Sequence, residues 1–431
     1  MIAIPFIVFG SLFVWTWRRQ GFFSIGTYIM LLYTIISLMS IFLDANNFYA
    51  HSCKKLQIEL FPPLLYCFLL IVCFYPYITK KLPRISPYVS PGSGRWLDVM
   101  TYGYFAIFCI ILYVSLTRIE DVVLSNSLAE IRNEQYTGGT VSFYDHLLGF
   151  PRYLCAACSI LAPSGYVMTL IFLFNVAFRK KSVLFHIMTL CGSLSQLLIA
   201  INIADRSNFA YWILLMGLGI CILFPYFSRK AKVGTVVLLS GLVSVILVYF
   251  MAVTISRFDD RSGGTIGGIV TYSGQSYINF CNFISYVQPE DSLCEIFPLT
   301  TRLAGGESYF EVASKVRSTY NLNISVFSTF LGYIYSISGG LVMTLFVLFY
   351  NRVSSFVLNH RKQLLELGDL VRIWAASLVL VLGLFSYFFS FAYCTIALII
   401  WIFLSYRLNP NRRTRRKHVG AFMRSKAVCR V

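Results

Sequence analysis

Residues 182–227 read SVLFHIMTLCGSLSQLLIAINIADRSNFAYWILLMGLGICILFPYF, and Asp205 and Arg206 are the only formally charged residues among them. A single helix of that length would greatly overshoot a bilayer core of about 30 Å, which about 20 apolar residues already cross. Divided at the Asp–Arg pair, the stretch becomes two helices, 182–204 and 209–227, each of spanning length. The charges then fall in the turn at their shared end and not in the hydrocarbon. This reading sets the class of the whole chain: a series of membrane-crossing helices.

Composition agrees. The 431 residues are 57% hydrophobic, 17% aromatic and 13% charged, with mean hydropathy +0.70. An ordinary soluble domain carries about twice that share of charge. Similar apolar runs occupy 2–17, 21–43, 60–79, 97–117, 153–178, 233–255, 326–349, 372–389 and 391–406. The sequence therefore predicts an all-α polytopic membrane protein of about eleven transmembrane helices. The stretch 372–406 is one long apolar block, divided near Ser390 on the same argument of length. The opening run, MIAIPFIVFGSLFVWTW, has its arginines after the apolar stretch and lacks a small-residue cleavage site, so it reads as a retained first helix.

Orientation follows from the Lys and Arg bias of connections. With Arg18 and Arg19 in the cytoplasm and the sides alternating, 25 of the 36 basic residues fall inside, against 3 of the 18 acidic ones. The N-terminus is then periplasmic and the C-terminus cytoplasmic. The basic tail 407–431 rests on anionic lipid in this reading, so the net charge of +18 calls for no nucleic acid. Most of the 12 cysteines lie inside apolar runs, where Cys behaves as a small hydrophobe. Cys155 and Cys158 spell C-x-x-C at the mouth of an apolar helix, which is poor ground for redox or zinc chemistry. No metal and no cofactor are expected.

Two outward connections are long: 118–152 and 256–325. The second is too aromatic for a solvated linker. Within it Tyr277, Phe280, Ile284 and Val287 recur at helical spacing, as do Tyr309, Val312, Val316 and Tyr320. Two short amphipathic helices lying on, or dipping into, the outer interface are expected. A small capping subdomain without chemistry is the plainer alternative.

Ionisable groups near membrane depth are costly, about 2.5–3.5 kcal/mol for a central Arg on insertion scales, so they point to function. Arg206, Arg257 and Arg261 fall at one depth on the outer side. A planar guanidinium fork suits phosphate. An Asp205–Arg206 pair marking a helix turn, or ion pairing of Arg257 and Arg261 with Asp259 and Asp260, would explain the same residues without a ligand.

The D-R-S entry into a central helix at 205–207, and the I-S-R-F start of a long outward loop at 255–258, resemble the bacterial O-antigen polymerase and oligosaccharide repeat unit polymerase families. In such polymerases an Arg-x10-Gly pattern recurs in periplasmic loops, and Arg257 with Gly268 has that spacing; so do Arg206 and Gly217. Many members have twelve or more helices and both termini in the cytoplasm, unlike this reading. The resemblance implies metal-independent glycosyl transfer at the periplasmic face of the inner membrane, joining undecaprenyl-pyrophosphate-linked repeat units. It assigns Arg206, Arg257 and Arg261 to the pyrophosphate. Asp259, Asp260 and Glu307 become candidate bases, with His146 an outsider. Tyr277, Asn279 and Tyr309 become sugar contacts, with Gln275 and Asn282 nearby. A chain-length regulator protein is a possible partner. A flippase or transporter of the same lipid-linked oligosaccharide is the rival reading. An O-antigen ligase is the other, although such ligases use a periplasmic-loop histidine and 256–325 contains none.

Overall fold

A computed structural model describes residues 1–49, 53–124, 144–145, 147–202, 205–258, 264–289, 317–320, 322, 327–359 and 364–409. The described residues form fourteen α-helices and one two-residue parallel strand pair, Arg84–Ile85 with Leu364–Leu365. In chain order the helices are α1 (Ile4–Gln20), α2 (Ile25–Ala45), α3 (Phe61–Thr79), α4 (Pro91–Leu124), α5 (Phe150–Leu161), α6 (Val167–Phe178) and α7 (Val183–Ser193). They continue as α8 (Ser195–Asn202), α9 (Ser207–Leu223), α10 (Arg229–Phe258), α11 (Gly264–Tyr286), α12 (Thr329–Leu358), α13 (Leu367–Val381) and α14 (Ala392–Arg407). Seven are long and apolar enough to cross a membrane, counting α5 and α6 as one, or eight if the bent pair α7–α8 is one span. The chain is a multi-pass membrane protein.

The basic connections meet at one end of the bundle. There Gln20 Nε2 donates to the carbonyls of Tyr77 and Ile78 at 2.9 and 2.8 Å, and Lys80 Nζ donates to Ser355 O at 3.0 Å. Asp98 receives Arg179 at 2.9 Å and Lys181 at 3.0 Å, and Ser93 Oγ reaches Leu408 O. The strand pair ties 84–85 to 364–365 at the same end.

The expected eleven spans are met only in part. At 17, 15 and 16 residues, α1, α13 and α14 fall short of spanning length. The expected segment 372–389 begins earlier, because Glu366 and Asp369 form a capping box that starts α13 at Leu367. That helix stops at Val381, and 382–391 is turn and 3-10 backbone inside the protein, with Leu382, Leu384, Phe388 and Phe389 buried. Irregular backbone is tolerated at membrane depth only where its polar groups find partners. Here the orphan donors at the start of α12 supply them: Ser328 and Thr329 N–H donate to Phe385 O, and Phe330 N–H to Gly383 O. The expected single helix 153–178 is likewise broken, by a 3-10 turn at Ala162–Tyr166 that contains Pro163. Trp401 Nε1 donates to the Ser164 carbonyl there at 2.8 Å. α7 and α8 bend by 44° at Leu194, and α12 kinks at Gly339, whose φ of 79° an L side chain rarely adopts.

The largest departure concerns 256–325, expected as one long outward loop. Residues 264–286 are instead the 23-residue helix α11, packed against α2, α3, α10 and α12. It stays at the end opposite the basic connections, beneath the α2–α3 link. Thr271 Oγ1 donates to Phe48 O, Asn282 Nδ2 to Lys54 O and Tyr286 OH to Gln57 O. Its crossing of α2 depends on Gly274: a Cβ there would lie 2.6 Å from Met39 O and 2.8 Å from Ser40 N. Of the second helix expected in this region, only the helical turn 317–320 lies among the described residues. At the neighbouring connection α4 runs to Leu124, into the expected 118–152 loop, while most of that loop and of the tail 407–431 lies outside them.

Gly274→Ala is expected to lower stability by about 1–3 kcal/mol through overpacking against backbone that cannot step aside. Gly241→Ala on α10, where nothing lies within 4 Å, serves as the control. Thermal unfolding in detergent compares them; equal melting temperatures would contradict this helix crossing.

Candidate functional site

The site is built where α9 begins. Asp205 holds that helix end: its carboxylate accepts from Ser207 N at 3.1 Å, from Ser207 Oγ at 2.7 Å and from Asn208 Nδ2 at 2.8 Å. A short acidic side chain suits this place, because the first N–H groups of a helix lack intrahelical acceptors. Asn208 Oδ1 in turn accepts from Tyr166 OH at 2.9 Å, which ties the turn to the broken α5–α6 segment. The neighbouring guanidinium belongs to Arg206, the residue at the N-cap of α9.

Arg206 is only 7% exposed, and its Cζ lies 4.6 Å from the ring centre of Tyr272 on α11. A cation over an aromatic face gains about 2 kcal/mol when desolvated. Rings continue outward from this contact. Tyr272 meets Phe327 edge-on at 5.5 Å, and Phe327 meets Phe385 at 5.2 Å. Tyr211, one turn into α9, bonds Ser386 Oγ through its hydroxyl at 3.2 Å. The start of α9, one face of α11, the entry to α12 and the α13–α14 turn thus converge around one guanidinium.

The α11 face that meets Arg206 is polar. Tyr272, Gln275, Asn279 and Asn282 recur at helical spacing and share it. Asn279 Nδ2 donates to Phe327 O at 2.9 Å. Gln275 Oε1, Asn282 Oδ1 and Ser328 Oγ are buried and have no hydrogen-bond partner among the described residues. Buried polar atoms in proteins almost always have partners. Two open amide oxygens on α11 and a hydroxyl at the entry to α12 are therefore suited to ordered water or to the hydroxyls of a ligand.

The sequence-derived site residues separate into three groups. Arg206 and Asn279 come together on this face, joined through Tyr272 and Phe327. Tyr277 does not: it is 0% exposed, on the opposite face of α11, with its ring 5.1 Å from that of Tyr66 on α3. Its place is in the helix-packing core, as is that of Phe280 beside the same tyrosine. The apolar spacing that suggested a helix here was the packing face of that helix, and the polar face lay on the other side. Arg257 sits in the last turn of α10, seven residues before α11 begins. Arg261, Asp259, Asp260, Glu307, Tyr309 and His146 lie outside the described residues.

Tyr272, Phe327, Phe385 and Ser386 were not singled out from the sequence. The α11 face had a legible signal, polar residues recurring at 272, 275, 279 and 282. The 385–386 turn had none, because it falls within a continuous apolar block. No protein-family model, characterised protein or solved structure matches this chain.

Gln275→Met is expected to leave the melting temperature unchanged or to raise it, since removing an unpaired buried acceptor relieves a desolvation penalty of about 1–3 kcal/mol. A clear loss of melting temperature would mean that Gln275 is already paired within the protein.

Proposed function

We propose that the protein is a glycosyl-transferring polymerase that joins polyprenyl-pyrophosphate-linked oligosaccharide repeat units at the periplasmic face of a bacterial inner membrane. One observation carries the reading: a guanidinium held 7% exposed at the end of the bundle away from the basic connections, beside a helix face of amides and aromatic rings. The positive-inside bias makes the basic end cytoplasmic, so Arg206 faces the periplasm.

In the proposed reaction the bond between the donor's anomeric carbon and its pyrophosphate oxygen breaks. A hydroxyl oxygen of the incoming repeat unit forms the new bond and gives up its proton. Negative charge builds on the departing pyrophosphate, and a buried arginine fork stabilises charge that develops there. Arg257 and Arg261, close in sequence to the start of α11, would add to the same charge. Asp259, Asp260 and Glu307 remain the proposed proton acceptors. Gln275, Asn279 and Asn282 supply amide groups and Tyr272 a ring to the sugars. Tyr309 remains a proposed sugar contact, and a chain-length regulator a proposed partner. No cofactor enters the scheme.

The transporter reading gains support from a specific feature. Helices interrupted at Ala162–Tyr166, Leu194, Gly339 and 382–391 are common in transporters, where they frame substrate sites. The two readings separate in a strain carrying a deletion of the gene, complemented by variants. Arg206→Ala and Tyr272→Ala, accumulating at wild-type level, are expected to leave surface glycan as core plus a single repeat. Arg206→Lys should restore a shortened ladder, because lysine keeps the charge and loses the fork. A full ladder from Arg206→Ala refutes the site. Loss of even the single repeat assigns the protein to transport or ligation.

A further inference from the structure

At the basic end of the bundle, α1, α2, α3 and the end of α9 enclose a cleft of about 150 Å3. Its polar lining is Gln20, Ser24, Lys80 and Lys81 with Tyr77 and Tyr226, and no carboxylate lines it. The amide of Gln20 is turned to the carbonyls of Tyr77 and Ile78, which lie in the last turn of α3. That gives those terminal carbonyls a partner, and the only formal charges lining the cleft are the positive ones of Lys80 and Lys81. Lys80 spends one donor on Ser355 O, and Lys81 is exposed and has no partner among the described residues. The opposite wall is apolar, with Phe23, Ile222 and Pro225. Beside it Phe22 and Phe23 are exposed, and Phe23 stacks on Phe224 at 5.0 Å, with Lys232 over the far ring at 5.2 Å.

We infer that this cleft binds the phosphate headgroup of an anionic phospholipid, with the acyl chains running along the exposed aromatic surface. Three features select that ligand. The charge is of one sign, from Lys80 and Lys81 with Lys232 beside them. The volume is well below the ~300–1,000 Å3 of a pocket for a larger organic ligand, so only a small headgroup enters. The cleft also lies between membrane helices at their basic ends, the level where basic pockets meet lipid headgroups. Free phosphate would share the charge contacts but not the apolar wall. The inference is independent of the reaction proposed at the opposite end.

The test titrates the full chain, purified in detergent, with phosphatidylglycerol under native mass spectrometry, using phosphatidylcholine and inorganic phosphate as comparisons. A first saturating phosphatidylglycerol adduct is expected, with phosphatidylcholine much weaker. Lys81→Gln, which removes no internal contact, should weaken that adduct about fivefold, and Lys80→Gln with Lys81→Gln should weaken it further. Lys180→Gln and Lys230→Gln, exposed at the same end, should retain wild-type binding. Unchanged affinity in Lys81→Gln, or equal losses in the two control variants, overturns the cleft. Displacement of the lipid by inorganic phosphate at equal concentration overturns the lipid assignment.

Discussion

A charged guanidinium held 7% exposed at the end of a membrane bundle must be stabilised by what surrounds it, and Arg206 is met there by several elements. The neighbouring acid does not carry the whole burden, since Asp205 is taken up in starting α9. A ring face 4.6 Å away on α11 shares it. For Tyr272 to reach that place, α11 must be drawn into the bundle, and the close crossing at Gly274 allows this. Drawing it in also brings a row of amides to the same side. The apolar face of α11, with Tyr277 and Phe280 against Tyr66, packs it into the bundle, and the contact with Arg206 lies on its other side.

The same economy governs the breaks in the helices. Backbone groups released at 382–391 are met by the unpaired donors at the start of α12, and the Ser164 carbonyl is met by the indole of Trp401. Each interruption is buried against another element, as an environment without water requires. At the opposite end the constraint is reversed. Lys80 and Lys181 are partly exposed, Arg179 is paired with Asp98, and the three hold the connections together through Ser355 and Asp98.

Helices whose exterior faces lipid were easily read, because lipid demands unbroken hydrophobicity: α10, only 17% buried across its apolar window, is the plainest case. The turn at Asp205–Arg206 was legible for the opposite reason, as the one place where oil could not continue. For 264–286, a short amphipathic helix through Tyr277–Val287 was expected at the outer interface. The full length of α11 and its burial in the bundle were not legible, because a helix packed largely against protein can carry Gln, Asn and Ser that lipid would reject. A break near Ser390 was legible from length alone, but its extent, 382–391, was not, since its backbone partners come from residues 328–330 far along the chain. At the site, Arg206 was readable as an anomaly in charge. Tyr272 and Ser386 were not, because only three-dimensional contact sets them apart from neighbouring aromatic and hydroxyl residues. Tyr277 shows how helical spacing identifies a helix without saying which face meets a ligand.

The most direct test of the central claim is the affinity of the purified protein for a polyprenyl pyrophosphate, measured for the wild type and for Arg206→Ala in the same lipid nanodiscs. Loss of a buried charged hydrogen-bonding partner should weaken binding at least tenfold, about 1.4 kcal/mol or more. The matching polyprenyl alcohol, which has no phosphates, should bind both proteins equally. Equal pyrophosphate affinity in a folded Arg206→Ala protein would contradict the account.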